Sequence, residues 1–243
     1  MKDLPLYIPL VFISTTLLTL YFLYKAFQNK KTVLVVSLAW LALQAAIGLS
    51  GFYTVADTMP PRFALLVGPP FLFIALCFFT RKGKAALDKL DLRWLTILHV
   101  VRVPVEAVLF WLFAERYVPE LMTFEGRNFD ILSGLTAPLV FYFAFVRRSL
   151  GRKTLLAWNF ICLALLCNIV INAVLAAPFA FQQFAFDQPN VGVLYFPFVW
   201  LPGFIVPAVL LSHLASIRIL LQQKEKLVTK EDLQPAVAYT PSY

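Results

Sequence analysis

The sequence predicts an all-α membrane protein: a bundle of seven transmembrane helices, N-terminus outside and C-terminus cytoplasmic. Three observations predict it. The 243 residues are 60% hydrophobic and 14% charged, against about 45–50% and about 25% in soluble domains. The apolar residues gather into seven runs of membrane length. The basic residues alternate from one side of those runs to the other.

The runs are 4–24, 33–54, 63–80, 94–114, 131–146, 155–177 and 199–221. Each suits a helix crossing about 30 Å of hydrocarbon at about 1.5 Å per residue. The first is too long for the apolar core of a signal peptide, and no small-residue cleavage pattern follows it, so it reads as a retained span. The second carries Ser37, Gln44, Gly48 and Gly51 within about 60° of one another, a small, polar stripe suited to close packing. The third holds the pair Pro69–Pro70, and the fourth holds Pro104. Pro104 cannot donate to the carbonyl of Val100, which predicts a bend there. The fifth run is the shortest and can borrow Phe129 and Asp130 at its outer end. The sixth carries Asn159, Asn168 and Asn172. The stretch 178–198 before the seventh is apolar but interrupted by Pro189 and Pro197. Residues 1–227 thus form one seven-span domain, and 228–243 read as a flexible cytoplasmic tail.

Charge sets the orientation. Of twenty-one basic residues, sixteen follow the odd-numbered runs and four lie on the opposite side; Arg102 alone sits deep within a run. Basic loops stay in the cytoplasm. This also accounts for the net charge of +8. The basic residues are dispersed over four short segments beside anionic headgroups, which excludes nucleic acid and names membrane lipids as partners. Compact loops make a bacterial cytoplasmic membrane the default residence.

The fourth run carries the sharpest chemistry. His99, Arg102 and Glu106 stand at i, i+3 and i+7, within about 60° on one helical face. An ionisable group at that depth costs at least about 2.5–3.5 kcal/mol unless it is paired or faces a cavity. The expectation is an Arg102–Glu106 pair next to the Pro104 bend, either as packing glue or as the wall of a binding pocket. His213 in the seventh run lies at a similar depth and joins the stripe if the two helices are neighbours. Asn168 and Asn172, at i and i+4, are further ligand-binding or interhelical candidates, whereas Asn159 projects from the opposite face as a separate contact. In the outer loop, Glu125, Arg127, Asn128 and Asp130 surround Gly126; they read as a cap for the fifth helix or as a lid. The phenylalanines of 178–186 suit a segment lying at headgroup level.

Other classes are excluded. Two histidines cannot supply a tri-histidine zinc site, and three cysteines in apolar runs form no disulfide or metal framework. No lysine lies in 199–221 to hold retinal. No metal, cofactor or catalytic residue is therefore expected. Three functions stay open. The first is a carrier for a small polar or anionic solute, with the anion on Arg102 and protons moved by Glu106, His99 and His213. The second is a non-enzymatic sensor or assembly subunit, which leaves open a protein partner or a second copy of the chain. The third, an intramembrane lipid-modifying enzyme, has weaker support, so an enzyme is not the expected reading.

Overall fold

The computed structural model describes residues 4–55, 58 and 60–232, the last ten of these as backbone only. Among the described residues there is helix and no strand. Five helices are long and apolar enough to cross a membrane, or six if one bent pair is counted as a span.

Helix α1 (Tyr7–Ala26) packs against α5 (Leu92–Leu98) and α6 (Arg102–Ala114). Tyr7 stands edge-on to Trp111, and Tyr21 edge-on to Trp94, so α1 runs antiparallel to the pair. Between α5 and α6 the chain narrows to a 3-10 turn at His99–Val101, where Pro104 leaves the Val100 carbonyl without its helical donor. The local break expected from the sequence is there as this 3-10 turn, within a segment that runs on as one helix from Leu92 to Ala114.

Helix α2 (Lys31–Leu49) is peripheral and ends earlier than the apolar run implied. Gly51 adopts a positive φ of 73°, which a glycine tolerates without a Cβ clash, and turns the chain out of the helix. The small stripe packs as expected. Gln44 is buried and accepts from the Tyr53 hydroxyl at 2.6 Å, and Gly48 lies against Val199.

Helix α3 (Ala64–Phe79) meets α4 (Arg81–Leu87) at 93°. The Thr80 side chain caps α4 by accepting from the Gly83 N–H at 3.0 Å. Helix α8 (Arg152–Leu175) packs on α9 (Val206–Asp232), the most central helix, which also meets α3 and α5. A π turn, Leu201–Ile205, leads into α9. Pro207 cannot donate to the Gly203 carbonyl; the Trp40 indole N–H donates to it instead, at 2.8 Å. Helix α9 runs on to Asp232, and residues 233–243 of the expected tail lie outside the described residues.

The largest departure concerns the fifth run. Helix α7 (Ile131–Phe141) continues through a π turn to Val146. Together they rise only about 24 Å, short of a span by the criterion the other five meet. The loop 115–130, expected as an outer loop, folds back alongside α6. Its Asn128 is fully buried and reaches Glu106, about 12 Å below the end of α6. Gly134 permits this approach. A Cβ there would stand 2.9 Å from the backbone nitrogen of Val103, so a side chain would push α7 off the α5–α6 junction.

Candidate functional site

Arg102 is the hub of the interior. It is 3% exposed, and three elements supply its partners. One terminal nitrogen donates to Asp130 Oδ1 at 2.5 Å and to the Cys162 carbonyl at 3.5 Å. The other lies 3.0 Å from His213 Nε2. The expected pairing with Glu106 is replaced by this one. The reason is the depth of the loop: Asp130 enters the bundle at the level of Arg102, whereas Glu106 lies one turn further along α6. Asp130 does occupy the N-cap position of α7, but its side chain makes no cap bond. Its carboxylate serves Arg102 and accepts from Ser133 Oγ at 3.4 Å.

The network fixes the state of His213. A guanidinium only donates, so Nε2 must present a lone pair. Nδ1 then carries the hydrogen and donates to Asn159 Oδ1 at 3.0 Å. The Asn159 amide is oriented in turn, its Nδ2 donating to the Leu155 carbonyl at 2.9 Å. His213 is thus a neutral imidazole held from both sides. His99 stacks on it with ring centroids 3.8 Å apart and 15° between planes, and Trp158 closes the stack edge-on. Both ring nitrogens of His99 are buried without a hydrogen-bond partner.

Glu106 is 2% exposed. Asn128 Nδ2 lies 2.6 Å from each of its oxygens and also donates to the Met122 carbonyl at 2.9 Å. Asn128 Oδ1 accepts from the Asp130 N–H at 3.0 Å, which fixes the amide the right way round.

Glu106 and Asp130 also line a cavity of about 310 Å³ between α3, α6, α8 and the π turn before α9. Its wall is otherwise apolar except for Asn190. Asn190 is 1% exposed. Its Nδ2 donates to the Ala173 carbonyl at 3.2 Å, while its Oδ1 has no partner. At the rim, Phe71 of α3, Val174 of α8 and Phe181 are exposed on the outside of the bundle. The cavity therefore opens sideways, between α3 and α8. His99, Arg102 and His213 stand behind this wall rather than on it.

The remaining candidates divide. Asn168 and Asn172 bond to one another, and Asn168 Nδ2 donates to the Arg127 carbonyl at 2.9 Å. They staple the loop to α8 and take no part in the core. Glu125 and Arg127 are exposed, with Arg127 over the Phe184 ring. Of the four loop candidates, Asn128 and Asp130 are the ones drawn inside. The phenylalanine segment is not uniformly interfacial either, since Phe179 is buried and, with Phe181, lines the cavity. Trp158 and Asn190 are residues that sequence reasoning passed over, and Asn159, read only as a separate contact, is the partner of His213. The signal for Asn159 was present: it lies opposite Asn168 on the helical wheel, and Asn168 is the one that faces out.

Among the described residues no group of three or more His, Cys, Asp or Glu side chains is placed to hold a metal ion. The family model described as Domain of unknown function (DUF8737) matches residues 60–221. The chain belongs to this family. No curated protein and no solved structure matches it. The DUF8737 match takes in every residue of the polar core and of the cavity wall, from Phe63 to His213, and leaves α1 and α2 outside it.

Proposed function

We propose that this membrane protein binds an amphiphilic molecule inside the bilayer, taking it up sideways between α3 and α8. The observation that carries the reading is the cavity itself, which opens on the lateral surface of the bundle and is apolar except for three acceptor-bearing side chains. A cavity of this size with few polar groups is the ordinary form of a small-molecule site. A solute bound by its anionic group is the weaker version of a carrier here, because Arg102 stands behind the wall with both terminal nitrogens taken by Asp130, the Cys162 carbonyl and His213. Binding and release are favoured over chemistry because both histidines also lie behind that wall, stacked and held. The π turn and Pro202 on the cavity wall are the elements that can move as a ligand enters.

The proposal includes seven crossings, the short α7 run completing one of them, with the N-terminus outside. The alternation of basic residues supports it, as does the shared position of the 27–30, 80–91 and 147–151 connections at one end of the bundle. An impermeant maleimide should label cysteines placed at Tyr117 and Gln188 from outside and at Asn29 and Leu150 only after permeabilisation; the reverse pattern overturns the orientation. For the site, a photoreactive fatty alcohol should label Val67 or Val170. Ala173→Trp, which fills the cavity, should abolish that labelling without lowering the amount of folded protein. Unchanged labelling in this variant would reject the site.

A further inference from the structure

Among the described residues the buried charged side chains, histidines aside, are Arg102, Glu106 and Asp130. His213 is neutral by its hydrogen bonds. The interior therefore holds one guanidinium and two carboxyl groups. Arg102 is bound to Asp130 and touches no oxygen of Glu106. Glu106 is left with amide donors from Asn128 alone. Its surroundings supply no second cation: α1 brings Thr15, Thr16 and Thr19 inward, α7 brings Ser133, α8 brings Cys162, and α9 brings His213. A charge at this depth is kept only when paired or facing a cavity, and Glu106 is on the cavity wall.

A second, independent group points the same way. Asn190 Oδ1 is a buried acceptor without a donor on the same wall. Leaving such an acceptor unmet costs about 1–3 kcal/mol. Asn190 Oδ1 calls for a hydrogen-bond donor, and Glu106, held by a single amide, for positive charge, while the rest of the wall calls for apolar surface.

We infer that the ligand carries a primary ammonium directly on an apolar body, with the ammonium at Glu106 and the apolar part between α3 and α8. This rests on the cavity being a ligand site, and it names the class of ligand. A phosphate next to the ammonium, as in a phospholipid headgroup, does not fit, because the wall offers a phosphate only acceptors and apolar atoms.

The test uses the full chain in phosphatidylcholine nanodiscs, with empty discs as the baseline for partitioning. Octylammonium, octanol and octanoate share one chain length and differ in the head. Calorimetric titration should show octylammonium binding at least tenfold tighter than octanol, with octanoate weakest. Glu106→Gln should bring octylammonium down to the level of octanol, and Asn190→Leu should weaken octylammonium more than octanol. Equal binding of octylammonium and octanol, or tighter binding of octanoate, overturns the ammonium assignment and leaves the cavity reading standing. Binding of none of the three above the empty-disc baseline overturns the cavity reading, and the assignment with it. The comparison among probes on the wild-type protein stands even if a variant fails to fold.

Discussion

Two hollows of similar size share the π turn before α9 as a common wall. One is the cavity of about 310 Å³ that holds Glu106, Asp130 and Asn190. The other is a cleft of about 360 Å³ on the opposite side, between α1, α2, α3 and α9, whose only polar side chains besides the Trp40 indole are Thr32 and Ser37. Size does not separate them, since the second is the larger. The chemistry of the wall does. The indole of the cleft is met, its N–H going to the Gly203 carbonyl, and neither Thr32 nor Ser37 is buried, so no polar group is stranded there. The cavity keeps a carboxylate without a counter-cation and an amide oxygen without a donor. A hollow without stranded polar groups is a packing defect or a lipid groove, whereas one next to an unpaired acid and an unmet acceptor asks for a particular partner.

This contrast can be broken most forcefully at Asp130. Removing one member of a buried ion pair strands the other and costs about 3–5 kcal/mol. Asp130→Ala should therefore lower the thermal unfolding midpoint by many degrees in detergent. Ser37→Ala, facing the cleft, should leave it nearly unchanged. Equal effects would mean that the charged side of the molecule is no different from the uncharged one. A middle-sized effect is expected at His213. Replacing it by Leu leaves an Arg102 donor unmet, at about 1–3 kcal/mol. Nitrogen-15 NMR of the wild type should show the Nδ1–H tautomer; an imidazolium or an Nε2–H ring would contradict the network. The smallest effect tests the shared wall from the cleft side. Trp40→Phe removes the donor to Gly203 and should cost about 0.5–1.5 kcal/mol. Pro207→Ala restores a backbone donor to that carbonyl, so the double variant should lose less than Trp40→Phe alone. Additive losses would show that the indole bond does not substitute for the missing helical one.

Much of the fold was legible along the chain. Helices α1, α5–α6, α8 and α9 lie close to their apolar runs, because hydropathy over about twenty residues is a local property. The 3-10 break near Arg102 was legible for the same reason, since a proline withdraws its hydrogen bond from a carbonyl four residues away. The candidate site was legible in its members more than in its wiring. His99, Arg102, Glu106, Asn128, Asp130 and His213 were all marked, and all are buried. Asn168, Asn172, Glu125 and Arg127 were marked too and stand apart from the core, because a polar residue at the end of a helix or in a loop reads alike whether the loop stays out or folds in.

Composition and hydropathy alone thus determine that the chain forms apolar helices of membrane length with ionisable groups among them. Which carboxylate answers Arg102 was decided only in three dimensions. On the wheel the nearest is Glu106, four residues away. In the bundle it is Asp130, twenty-eight residues away. The difference lies in one tertiary fact, that the 115–130 loop descends alongside α6 and starts α7 deep in the bundle. Local spacing fixes where a side chain sits on its own helix, but pairing depends on depth, and depth is set by how the helices and loops pack against one another. The descent of that loop ties up the arginine and leaves Glu106 facing an apolar cavity without a counter-cation.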